Sequence, residues 1–170
     1  MSSRGFTLLE VMIILGLMAI LMSIGYPLLQ RFYINGNLRS ATRDLIGDFN
    51  SQKQRAMSGV MSEDPAPAFR GTRIHRISLD MGANSYTLQR CATTDNACGN
   101  WEDIPGIPVK NLNAYGSDVA FDPGNTKLVF DFQTRGTVSD GTIVMKNNRG
   151  STATITANIS GRTFVEFSMQ

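Results

Sequence analysis

The residues in this chain that could do chemistry are few, and the two cysteines come first. Cys91 and Cys98 stand in RCATTDNACGNW with six residues between them. A gap of about two to four would suggest zinc, but no third cysteine exists and the chain has one histidine. With an apolar, export-type segment upstream, a disulfide is the better reading, and two buried free thiols are the alternative. Closing so short a loop stabilises a fold by roughly 2–3 kcal/mol on the chain-entropy model. The one histidine, His75, lies on a predicted strand near Arg73 and Arg76, and reads as a solvated strand residue rather than a general base. No phosphate-binding glycine loop, zinc-protease helix motif or nucleophile elbow is present. The aspartates fall mainly at turns, where they cap and bend the chain. No catalytic residue, metal site or cofactor is expected.

The remaining chemical oddity is a carboxylate in grease. The chain opens MSSRGFTLLEVMIILGLMAILMSIGYPLLQRF, and Glu10 sits at the head of a run, Val11 to Leu29, that has no charged residue. Those nineteen residues cover about 28 Å as a helix, close to the hydrocarbon thickness of a bilayer. An acidic side chain at the centre of such a span costs about 2.5–3.5 kcal/mol, and less near its end. A cleaved secretory signal would use Arg4 as its basic start and Ser23-Ile24-Gly25 as a weak cut site, but it leaves Glu10 where a base belongs. A plain membrane anchor explains the length and leaves GFTLLE without a reason.

A third reading uses every residue. RGFTLLEVMIILGLMAILMSIGYP resembles the start of a type IV pilin or a type II secretion pseudopilin. The resemblance implies a leader, Met1 to Gly5, cut between Gly5 and Phe6 by a prepilin peptidase that also methylates the new terminus at Phe6. It implies an assembly role for Glu10, which would meet the Phe6 amine of a neighbouring subunit in dry surroundings and favour one axial register. It matches the family's helix-bending proline to Pro27. The implied partners are other pilins or pseudopilins through the N-terminal helix, the prepilin peptidase, the membrane before assembly, and an inner-membrane assembly platform. The driving ATPase would be a separate protein, because this chain has no nucleotide motif.

The elements that must position these residues follow from periodicity. Beyond the span, apolar residues recur at Ile34, Leu38, Ala41, Leu45, Phe49, Ala56 and Val60, one stripe of an amphipathic helix. Arg31, Arg39, Arg43, Asp44, Asp48, Lys53 and Arg55 mostly take other faces. One helix is expected from about Phe6 to Ser58, on the order of 80 Å long, ending near Gly59. Pro27 removes a backbone donor and should bend or loosen it. SEDPAPAF, at 62–69, reads as a linker or surface loop. Then the period changes to two. RIHRISLD (73–80) and SYTLQRC (85–91) read as strands joined by a turn at MGAN. The stretch through WEDIPGIPVKN is expected to be irregular, with Trp101 as a plug over the cysteine loop. DVAFDP, KLVFDF, GTIVMK, TATITANI and TFVEF read as further short strands.

The expected fold is α+β: a long N-terminal helix, apolar in its first half and amphipathic in its second, packed on a C-terminal antiparallel β head. The boundaries are a leader at 1–5, a membrane and filament-core helix at 6–30, an amphipathic helix at 31–60, and a β-rich head at 61–170. LVFDFQTRGTVSDGTIVM followed by ITANISGRTFVEF resembles the GspH/FimT-type head of minor pilins and minor pseudopilins, with the family's Gly-Arg pair at Gly161 and Arg162. RCATTDNACGNWED resembles a Cys…Cys…Trp segment of some minor pilins. The resemblance implies a low-copy structural subunit, first of a type IV pilus and alternatively of a type II secretion pseudopilus. It implies one pass through a bacterial inner membrane, a periplasmic head, and later a place in the filament. Some relatives of this head type bind DNA, which would use Arg162 and the basic set Arg70, Arg73, Arg76 and Arg90. Charge argues against that role. The chain has 16 basic and 14 acidic residues, and residues 118–170 have five of each, so the local excess that phosphate contacts need is lacking.

Overall fold

The computed structural model describes residues 7–58, 73–91, 98–133 and 135–170. A single helix, α1 (Leu8–Ser58), runs about 76 Å without interruption, through Pro27. Val60, the last residue of the expected stripe, lies outside the described residues, as does the 62–69 linker.

The helix has two lives along its length. From Leu8 to Tyr33 almost every side chain is exposed, including Leu9, Met12, Ile20, Leu28 and Phe32. From Ile34 onward one stripe is buried: Ile34, Leu38, Ala41, Thr42, Leu45, Phe49, Gln52 and Ala56. Steps of three and four place these on the face turned to the head. Gln52 fills the gap between Phe49 and Ala56, a polar side chain in an apolar row.

The head has nine strands among the described residues: β1 (Arg73–Asp80), β2 (Ser85–Cys91), β3 (Trp101–Asp103), β4 (Lys110–Asn111), β5 (Val119–Phe121), β6 (Val129–Gln133), β7 (Gly141–Asn147), β8 (Thr152–Ala157) and β9 (Thr163–Ser168). They form two antiparallel sheets. One has the order β3-β2-β1-β6 with β4 also on β2, and the other has the order β5-β7-β8-β9. A 3₁₀ turn at Leu112–Tyr115 leads into β5. WEDIPGIPVKN is thus not wholly irregular. Its ends pair with β2, Trp101 opposite Cys91 and Lys110 opposite Tyr86. Edge strands of two or three residues leave almost no periodic signal.

Both sheets turn their apolar faces to the helix. Phe49 wedges between Phe130 and Phe132, with ring centroids at 5.2 and 5.5 Å in edge-to-face geometry. Such pairs contribute about 0.5–1.5 kcal/mol each beyond the area they bury. Ile77, Leu88, Ile143, Met145 and Ile155 complete the core. Neither the stripe nor the sheets would hold in water alone, so the helix is the third layer of the domain.

His75 is not solvated. It is 6% exposed because it shares the inward parity of Ile77 and Leu79 on β1. Burial first, then the positive charges of Arg55 and Arg90, hold its imidazole down at about 4. Its Nδ1 and both amide atoms of Gln52 are buried without a hydrogen-bond partner among the described residues.

Candidate assembly and processing site

The helix start is built by three residues of the motif. Thr7 stands before the first helical residue, and its Oγ1 accepts from the Glu10 backbone N–H at 3.3 Å. Its carbonyl accepts from the N–H groups of Glu10 and Val11, at 3.1 and 3.2 Å. Thr-x-x-Glu is the sequence signature of a capping box, and the hydroxyl satisfies a donor that the first turn leaves orphaned. That signal was legible in TLLE, and the resemblance did not use it. The carboxylate of Glu10 is exposed in the first turn, where the helix dipole favours negative charge. Gly5 and Phe6 lie outside the described residues.

Between this cap and the head the helix carries a weak place. Ser23 Oγ donates back to the Ile20 carbonyl at 2.8 Å, a contact that loosens a helical turn. Gly25 lowers helix propensity, and Pro27 has no N–H to give the Ser23 carbonyl. All of this lies on the exposed half of α1. The head takes hold just after it. Arg149 Nη2 donates to Gln30 Oε1 at 2.7 Å, and Asn147 Nδ2 to Asn35 Oδ1 at 2.9 Å.

Higher up, the seam between helix and head is polar on one flank. Asp48 receives the Tyr86 hydroxyl at 2.6 Å and Lys110 Nζ at 2.8 and 2.9 Å. Tyr115 donates to Asp44, one turn below. Burial and then the Asp44 bond push the Tyr115 hydroxyl up to about 12. At the far end, Lys53 Nζ donates to the Gly161 carbonyl at 2.9 Å. Gly161 has φ +72°, and a Cβ there would stand 2.2 Å from the Gly136 carbonyl oxygen. The glycine of the Gly-Arg pair is therefore a docking point for the helix end, which sequence reasoning did not assign.

The remaining candidates separate. Cys91 and Cys98 form a disulfide, Cα–Cα 5.8 Å, beside the start of β3. Trp101 is not simply a plug over it. Its ring lies 3.8 Å from the Arg76 guanidinium carbon, and Arg76 Nε also holds Asp131 Oδ1 at 3.0 Å. Arg90 pairs with Glu102. Arg73 opens β1 opposite Gln133, Arg76 is on the same sheet, and Arg162 is exposed in the turn between β8 and β9 of the other. Among the described residues no contact brings Arg76 and Arg162 together.

The free apolar half of α1 is long and apolar enough to cross a membrane, and none of its most apolar window is buried in the head. The family model described as the prokaryotic N-terminal methylation motif matches residues 1–26. The fold is similar to that of EpsH, the minor pseudopilin of the type 2 secretion system of Vibrio cholerae. The TM-score is 0.55 at 12% identity, over 76% of this chain and 96% of that one. The chain carries a type IV pilin signal on a pilin-like fold. No curated protein sequence matches it. The matched motif heads a helix long and apolar enough to anchor the chain in a membrane.

Proposed function

We propose that the chain is a minor, non-enzymatic subunit of a filament built from the bacterial inner membrane. It is clipped after Gly5, methylated on Phe6, held by α1 with its head in the periplasm, and then moved into the filament. The observation that supports this most is the division of α1. One half packs a buried stripe against the head, and the other half is apolar and free behind a methylation motif. Such a surface needs lipid first and sibling helices later. Glu10 lies at the end of the span, where a neighbour's cationic terminus neutralises it on transfer.

The first reading of the filament is a type IV pilus, in which the subunit primes assembly. It is supported by the cysteine segment that resembles those of minor pilins. The second is a type II secretion pseudopilus, supported by the likeness of the head to EpsH. Filaments sheared from cells and probed for this chain test the proposal. Recovery of the processed chain at low copy with surface pili supports the first reading. Dependence of exoprotein release on the chain, without loss of surface pili, supports the second. A processed chain that stays in the membrane fraction, and whose loss changes neither surface pili nor exoprotein release, defeats both.

A further inference from the structure

β9 has a neighbour on one side only. It pairs with β8 over six successive residues without a register shift, and it ends its sheet. Among the described residues no backbone bond reaches its outer side. An open edge of this length is a template for another strand, and proteins usually blunt one with lysine, proline, a bulge or a covering loop. β9 reads TFVEFS, with Glu166 as its one charge and no lysine or proline, and its ladder with β8 has no bulge. The other edges are different. β3, β4 and β5 span three residues or fewer, and the outer side of β6 is taken by Thr137 and Ser139.

The side chains on one face of this edge form a pattern. Arg162, Phe164 and Glu166 alternate, and all three are exposed, Phe164 to 54%. Neither Arg162 nor Glu166 has an ion-pair partner among the described residues. We propose that β9 is a strand-addition site. Its occupant is an extended segment of a different pilin-like subunit, with a basic residue opposite Glu166, an apolar one opposite Phe164 and an acidic one opposite Arg162. The proposal rests on the filament reading above.

Two arguments choose that occupant over a second copy of this chain. β9 lies along α1: Gly161, just before it, meets Lys53, and Phe167, near its end, lies under the Arg39 guanidinium at 5.9 Å. Fourteen helical residues rise about 21 Å and six strand residues about 20 Å, so β9 runs close to antiparallel to α1. Copies held in one membrane or one filament point their helices the same way, so their β9 strands are parallel. In-register parallel pairing sets Glu166 against Glu166 and Arg162 against Arg162, and like charges directly opposite repel. Antiparallel pairing of two copies would match those charges but aim the two anchors in opposite directions. A different chain, with a strand running along α1, meets both conditions.

The test is amide hydrogen exchange of the mature full-length chain in filaments and, separately, alone in detergent. The outward amides of β9 should exchange fast in detergent and slowly in filaments. The double variant Arg162→Glu with Glu166→Arg should be processed normally and fall about tenfold in filament incorporation, about 1.4 kcal/mol. Equal exchange in both states, with unchanged incorporation, overturns the proposal. Protected β9 amides and a dimer in detergent would make a second copy the occupant and overturn it too. A wild-type chain that is processed but absent from filaments refutes the filament reading itself, whatever β9 does.

Discussion

Acidification should weaken this head through one buried imidazole. His75 is 6% exposed, and its ring is held down at about 4 by burial and by Arg55 and Arg90. An unfolded histidine titrates near 6.5. Above about pH 6.5 the ring is neutral in both states and adds no pH dependence. Between about 6.5 and about 4 the unfolded chain takes the proton and the folded chain refuses it, so stability falls with pH. At about 1.4 kcal/mol per pH unit the full loss is about 3 kcal/mol, reached near pH 4. The assay is urea unfolding of the full chain in mild detergent at a series of pH values. Fluorescence of Trp101 reports it, the one tryptophan, which is stacked against Arg76 in the folded head. Carboxylates titrate in the same window, so the quantity to read is the difference between wild type and His75→Gln. Glutamine keeps the ring's approximate bulk without its charge. The variant should lose about 3 kcal/mol less than wild type on going from pH 7 to pH 4. Parallel curves would refute the claim that a buried neutral histidine sets the slope.

Glu10→Ala should leave cleavage and membrane insertion intact and lower filament incorporation, read as the ratio of sheared to membrane-bound chain; normal incorporation contradicts the assembly role. Gly161→Ala puts a methyl into a positive-φ site against the Gly136 carbonyl. It should cost about 2–5 kcal/mol in urea unfolding, and a variant as stable as wild type would remove the docking role. Replacing both Cys91 and Cys98 by serine opens a loop closed over a separation of seven residues. It should cost about 2–3 kcal/mol and speed amide exchange in β2 and β3 ahead of the rest of the head.

Long periodic elements were legible in the sequence, and short or inward polar ones were not. The stripe from Ile34 to Ala56 and the strands at 73–80 and 85–91 stand where their periods put them. β3 and β4 escaped because two or three residues show no period. Their pairing is fixed by cross-strand partners such as Gln89 with Asp103. His75 was misread because its arginine neighbours outweighed its shared parity with Ile77. That the head forms two sheets depends on which strands neighbour which, a long-range property that no local pattern carries. At the site, the motif was legible through its resemblance to pilin starts, and the threonine cap was present in the same letters. The roles of Gly161 and Arg76 were hidden, since each depends on a contact with a residue far away in the chain, Gly136 and Trp101.

On the proposed function, this chain leaves the membrane as a processed pilin-like subunit. The mass of the mature N-terminus, measured on protein taken from cells that carry the prepilin peptidase, tests it most directly. The expected mass is that of a chain beginning at Phe6 with one added methyl group. A chain that keeps Met1 to Gly5, or begins near Tyr26, would contradict it.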